Sequence, residues 1–209
     1  MKKLIVIFFL LSINPAMGYE NEIDSLGIGL LKITNFHNAK FLTFYSDTAL
    51  TERFITWDIF NPNKKYFPMY YKPHYGLCSF ICLAETEKYY KVLINKSLIK
   101  FLPREKNYVF ESWEAHLGNS FGVRAKGWSK QKAFAVKIEP NDSSKLFYVS
   151  NEVFFCALEM QGEWIKVQVN CVNDYVYCKD ATKKCKKSKT GWIRWRNGEK
   201  IMLEIATLC

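Results

Sequence analysis

The chain has 209 residues, of which 49% are hydrophobic and 16% aromatic, and carries a formal charge of +10. Such a composition excludes a disordered chain. Three histidines and 24% charged residues leave little vocabulary for acid–base or metal chemistry, and the basic balance favours anionic partners.

Met1-Lys2-Lys3, the apolar run Leu4 to Leu11 and the small residues around Ala16-Met17-Gly18 have the three regions of a secretory signal peptide. They predict a leader over residues 1–18. The apolar run is too short to span a bilayer, and no other segment approaches that length. The first cysteine is Cys78, so no lipid anchor is expected at the cleavage site. The expected location is secreted or periplasmic, which disfavours nucleic acid as a partner. Removing Lys2 and Lys3 lowers the formal charge from +10 to +8, still basic.

Residues 19–111 are expected to form an N-terminal β module. Strand-like runs cover Leu30 to Thr34, Lys40 to Tyr45 and Arg53 to Phe60, before a hairpin around Tyr89-Tyr90-Lys91-Val92-Leu93-Ile94-Asn95. The one helical signal follows: Ser112 as N-cap, Trp113 to Leu117 as one or two turns, Gly118 as the stop. With Gly118 to Lys132 it makes a short helix and linker over 112–132.

Residues 133–209 are expected to form a second module. In Trp164-Ile165-Lys166-Val167-Gln168-Val169-Asn170 apolar and polar residues alternate with period two, the pattern of a half-buried strand. Gly162 supplies the turn before it. This stretch matches Tyr89 to Asn95 position by position, and Phe154-Phe155-Cys156 matches Phe80-Ile81-Cys82, so the hairpins differ by one residue in the turn. Prolines precede both, at Pro73 and Pro140. The set points to two copies of one small β unit.

Gly191-Trp192-Ile193-Arg194-Trp195 repeats the turn-and-strand grammar. Together the Trp-Ile-Lys-Val and Gly-Trp-Ile-Arg-Trp segments resemble the bacterial SH3-like (SH3b) domains of cell-envelope proteins. The layout is similar to uncharacterised secreted SH3-domain proteins of Bacteroidetes-type bacteria. The likeness spans roughly Ala133 to Glu204. It implies an all-β chain of two tandem small SH3-like β-barrels joined by a short helix and linker. It also implies that aromatic residues near the long loops bind ligand.

The ligand-binding candidates are Trp164, Trp192, Trp195, Tyr175, Tyr177, Arg194 and the loop lysines Lys183, Lys184, Lys186 and Lys187. Alternation places Trp195 with Ile193 and Trp192 on the opposite face, so one ring fills the core and another is free to line a groove. The bland roles are core packing for any one tryptophan and a solvated loop for the lysines.

Seven cysteines leave at least one unpaired or paired to another molecule. Cys78 and Cys82, four apart in a strand, have Cα atoms about 13 Å apart, too far for a disulfide. The disulfide candidates are Cys156, Cys171, Cys178, Cys185 and Cys209, with Cys209 able to reach Cys156 or the loop. No metal site is expected, because the cysteines lack zinc spacing and no histidine is near. No catalytic residues or cofactors are expected. His74 lies close to Cys78 in sequence and His116 further on, but nothing resembles a cysteine peptidase, and no phosphate loop or serine elbow is present. The expected function is non-catalytic binding of a cell-wall or other anionic envelope polymer. The alternative is a protein–protein interaction factor, with a small cysteine hydrolase third.

Overall fold

The structure is a computed structural model that describes residues 25–36, 39–127, 133–150, 154–169, 178, 180, 185 and 188–207. The predicted leader 1–18, Tyr175, Tyr177, Lys183, Lys184, Lys186, Lys187, Cys171 and Cys209 lie outside the described residues. The described fold is mostly β, with one 3-10 turn, Pro73–Tyr75, and a short helix between the halves among its elements. No described helix is long and apolar enough to cross a membrane.

The first half contributes β1 (Gly29–Ile33), β2 (Phe41–Tyr45), β3 (Arg53–Asp58), β4 (Tyr70–Lys72), β5 (Leu77–Glu85), β6 (Tyr89–Leu93), β7 (Ile99–Pro103) and β8 (Tyr108–Ser112). They pair in the order β3-β2-β7-β6-β5-β1-β8, with β4 beside the first half of β5. Period-two alternation sends Leu31, Ile33, Leu42, Phe44, Cys78, Phe80, Cys82, Tyr90, Val92 and Leu102 into one core, with Trp57 and Tyr108. A single sheet lining its own core on one face must curl around it. Leu30, Ile81 and Leu93, of opposite parity, face outward and are nevertheless buried.

What covers them is the second half. Helix α1 (Trp113–Gly118) is followed by β9 (Val123–Ala125), β10 (Ala133–Lys137), β11 (Leu146–Ser150), β12 (Cys156–Gln161), β13 (Trp164–Gln168), β14 (Thr190–Arg194), β15 (Arg196–Asn197), β16 (Lys200–Ile201) and β17 (Leu203–Ile205). Leu26, Leu30, Ile81 and Leu93 pack in one core with Trp113 and Leu117 of α1 and with Val136, Phe155, Ile165, Val167, Ile193 and Trp195. Trp113 Nε1 donates to the Leu26 carbonyl at 2.8 Å, and its ring lies 5.6 Å from that of Trp195. Ser112 caps the helix by accepting from the Ala115 N–H at 3.2 Å, as expected of a serine at that position. The helix runs through Gly118 rather than stopping before it.

Apart from β4 beside β5, the pairings of the first half recur in the second. The five-stranded sheet runs β11-β10-β14-β13-β12, strand for strand the order β3-β2-β7-β6-β5. Val123 bridges Phe155 and Ile205 as Leu31 bridges Phe80 and Phe110. Tyr45 meets Phe101 where Lys137 meets Trp192. The repeat therefore takes in seven strands on each side. Residues 123–125, expected as linker, form β9, because Val123 and Ala125 are buried by β17 and β12.

The ladders also correct the hairpin register. Both carry a bulge at a leucine, Leu83 and Leu158, and pair Cys82 with Val92 and Ala157 with Val167. Ala157, not Cys156, thus stands at the level of Cys82. The hairpins are equal in length, since Glu85 pairs with Tyr90 and Met160 with Ile165. What differs is the next connection: residues 94–98 in the first half, residues 169–189 in the second.

Candidate functional site

The outer face of the five-stranded sheet holds most of the described candidates. One rung crosses all five strands as Leu146, Lys137, Trp192, Lys166 and Glu159. The Lys166 ammonium is 5.6 Å from the Trp192 ring centre and 3.3 Å from Glu159. The next rung brings Arg194 opposite Trp164, with the guanidinium 4.9 Å from that ring. Arg194 also meets Glu163 at 2.7 Å and Asp142 at 2.6 Å. Two carboxylates and a ring fix a planar fork here in the way such a group is best held.

The three tryptophans divide as alternation requires, with an addition. Trp195 fills the core beside Ile193 at 1% exposure and donates Nε1 to the Gly162 carbonyl at 3.0 Å. Trp192 faces outward yet is only 7% exposed. Its strand is central, with Lys137 and Lys166 beside it on the two neighbouring strands and the Lys166 ammonium over the ring. Trp164 alone keeps a half-open ring. Gly191 marks how tightly this sheet is drawn, because a Cβ there would lie 2.4 Å from Val136 Cγ1 and 2.7 Å from the Lys137 carbonyl.

At the end of the same sheet Cys156 bonds Cys178, with Cα atoms 5.0 Å apart. A bridge from Cys156 to Cys209 is thereby ruled out. Cys185 is disulfide-bonded as well. Gln168 donates to the Cys185 carbonyl at 2.8 Å, and the Cys178 N–H donates to the Ser120 carbonyl at 3.0 Å. These contacts tie Cys178 to the sheet and to the turn after α1, and Cys185 to the sheet. Cys78 and Cys82 are free, in keeping with the strand geometry that bars a bond between the two. Burial pushes the Cys78 thiol up and the Cys82 thiol up to about 12, so both stay protonated near neutral pH.

A second polar cluster escaped sequence reasoning. Glu111, half-buried at the end of β8, accepts from His116 Nδ1 at 2.8 Å and from Asn119 at 3.1 Å, with the Lys32 ammonium 3.3 Å away. Burial alone would raise its carboxyl. Hydrogen bonds from His116 and Asn119 and the charges of His116 and Lys32 outweigh that, holding it near 2. The His116 ring lies 5.3 Å from Tyr70 and 6.0 Å from Trp113. Its Nε2 is buried with no partner among the described residues. A Glu five residues before a His across a helix start was the one available signal. Among the described residues no cluster of ligating side chains could hold a metal ion.

No family model, no curated protein and no solved structure matches this chain.

Proposed function

We propose that the chain is an exported, non-catalytic binding protein built of two SH3-like modules, and that the second module engages an anionic cell-wall or envelope polymer. The observation that carries this reading is the difference between the repeats. Both have a lysine paired across the ladder with an aromatic ring, Lys91 with Phe101 and Lys166 with Trp192. Only the second adds Arg194 against Trp164, where the first has Pro103 against Tyr89. Only the second replaces a short connection with a cysteine-fastened, lysine-rich one. A ring flanked by cations suits a polymer that is part sugar and part anion.

Co-sedimentation of the chain with purified cell-wall sacculi tests it, beside a variant with Lys183, Lys184, Lys186 and Lys187 changed to Glu and a Trp164→Ala variant, all verified as folded. Retention of the native chain and loss in both variants supports the reading, whereas no retention of the native chain overturns it. A protein partner is the second reading. It is favoured by the burial of Trp192 and Trp195 and by the pairing of Arg194 with Glu163 and Asp142, which leave less of this face open to a polymer.

A further inference from the structure

Strand β11 ends the second sheet and among the described residues pairs only with β10. The Ile138 N–H donates to the Lys145 carbonyl, which sets the phase of the ladder. In an antiparallel pair, residues that exchange both hydrogen bonds alternate with residues that exchange none. Pairs 138/145, 136/147 and 134/149 are therefore bonded, and Leu146 and Tyr148 turn their N–H and C=O away from β10. Neither backbone finds a partner among the described residues.

Open edges of this kind are normally blunted by charge, proline or a bulge. The equivalent edge, β3, has Arg53 and Asp58 at its two ends and a bulge against β2. β11 is Leu146-Phe147-Tyr148-Val149-Ser150, without charge, proline or bulge. Tyr148 is 69% exposed. On the other face Phe147 and Val149 are only partly buried at the margin of the shared core, so that core opens at this edge.

The surroundings are basic. Lys137 donates its ammonium to the carbonyls of Asp142 and Ser144 at 2.7 and 3.3 Å, Lys189 lies over the Phe147 ring at 5.8 Å, and Lys145 is exposed. None of these three meets a carboxylate among the described residues. The acids of the adjoining turn are already engaged, Asp142 by Arg194 and Glu139 by Asn141.

We infer that β11 is a docking edge for an extended acidic segment of a partner protein, added as an antiparallel sixth strand. Main-chain groups of Leu146 and Tyr148 supply the affinity, as in other strand additions. Side-chain alternation supplies the selectivity. Apolar residues of the incoming strand lie beside Phe147 and Val149, and acidic ones share the face of Tyr148 and Lys137. A second copy of the chain is the less suitable occupant, since a formal charge of +10 repels its own kind. This goes beyond polymer binding and does not depend on it.

The test is fluorescence anisotropy with a capped, labelled peptide alternating Val and Glu, beside one alternating Val and Lys. The variants are Tyr148→Pro, which removes an N–H that points away from β10 and so spares the sheet's own hydrogen bonds, and Tyr148→Ala, which keeps that N–H. Thermal melts establish that both are folded. Saturable binding of the Val/Glu peptide is expected, weakened at least about tenfold by Tyr148→Pro and less than about threefold by Tyr148→Ala. Absence of binding, equal binding of the Val/Lys peptide, or unchanged binding by folded Tyr148→Pro overturns the inference. Concentration-dependent dimerisation in sedimentation velocity, abolished by Tyr148→Pro, also overturns it by giving the edge to a second copy.

Discussion

Changing Glu111 to Gln should produce a loss of stability that is present at neutral pH and vanishes in acid. Glu111 is held near 2 against an ordinary value of 4.5, so its ionised form favours the folded state. The full linkage is about 3 kcal/mol, since each pH unit of separation is worth about 1.4 kcal/mol. Solvent at the rim of the cluster screens it, leaving about 1–2 kcal/mol. A carboxyl lowered on folding stabilises above its unfolded value and ceases to do so as pH falls through its folded value. The contribution is therefore complete above about pH 5 and gone near pH 2. Glutamine has nearly the shape of the protonated acid, so native chain and variant should converge there. Urea unfolding midpoints of both proteins between pH 2 and 6 provide the measurement. A difference that stays constant across this range would refute the account of Glu111 as a carboxylate held by His116, Asn119 and Lys32.

Four further outcomes are expected. Trp113→Ala should cost about 3–5 kcal/mol, read as a shift in urea midpoint, because the ring joins α1 to Trp195 and its Nε1 bonds Leu26; Trp113→Phe should cost less. Replacing Cys156 and Cys178 together by Ser should cost about 3 kcal/mol in the same assay, the closure entropy of a loop spanning 22 residues. Gly191→Ala should destabilise by several kcal/mol, having no room for a Cβ. Gly198→Ala, in open space at φ 57°, should cost about 1 kcal/mol, and thermal melts of the two variants separate space from backbone strain.

Period-two runs of β-branched and aromatic residues were enough to read β1, β2, β3, β6, β13 and β14 from the sequence, and the serine cap was enough to find α1. The hairpin match was legible because Lys91-Val92 and Lys166-Val167 occupy the same rungs. Its upstream half was read one residue out, since Cys82 and Cys156 look alike in sequence while a bulge decides which residue faces Val92 or Val167. β9 escaped because a three-residue strand between Gly122 and Gly127 carries no period, and its partner β17 lies far along the chain. Glu111 and His116 escaped for a related reason: Lys32 reaches them only because β1 pairs with β8. The inward turn of Trp195 was legible from alternation. The cover over Trp192 was not, because it comes from a neighbouring strand.

The shared core makes the two copies unequal. One core is lined by first-half residues alone, whereas the second half shares its core with Leu26, Leu30, Ile81 and Leu93. Synthesis proceeds from the N-terminus, so the first copy can set before the second emerges and then serves as the template on which it closes. Exchanging the halves in order would present the dependent copy with nothing to fold against. The likeness of the two halves in strand order thus hides an inequality of dependence, the later half relying on the earlier for part of its interior.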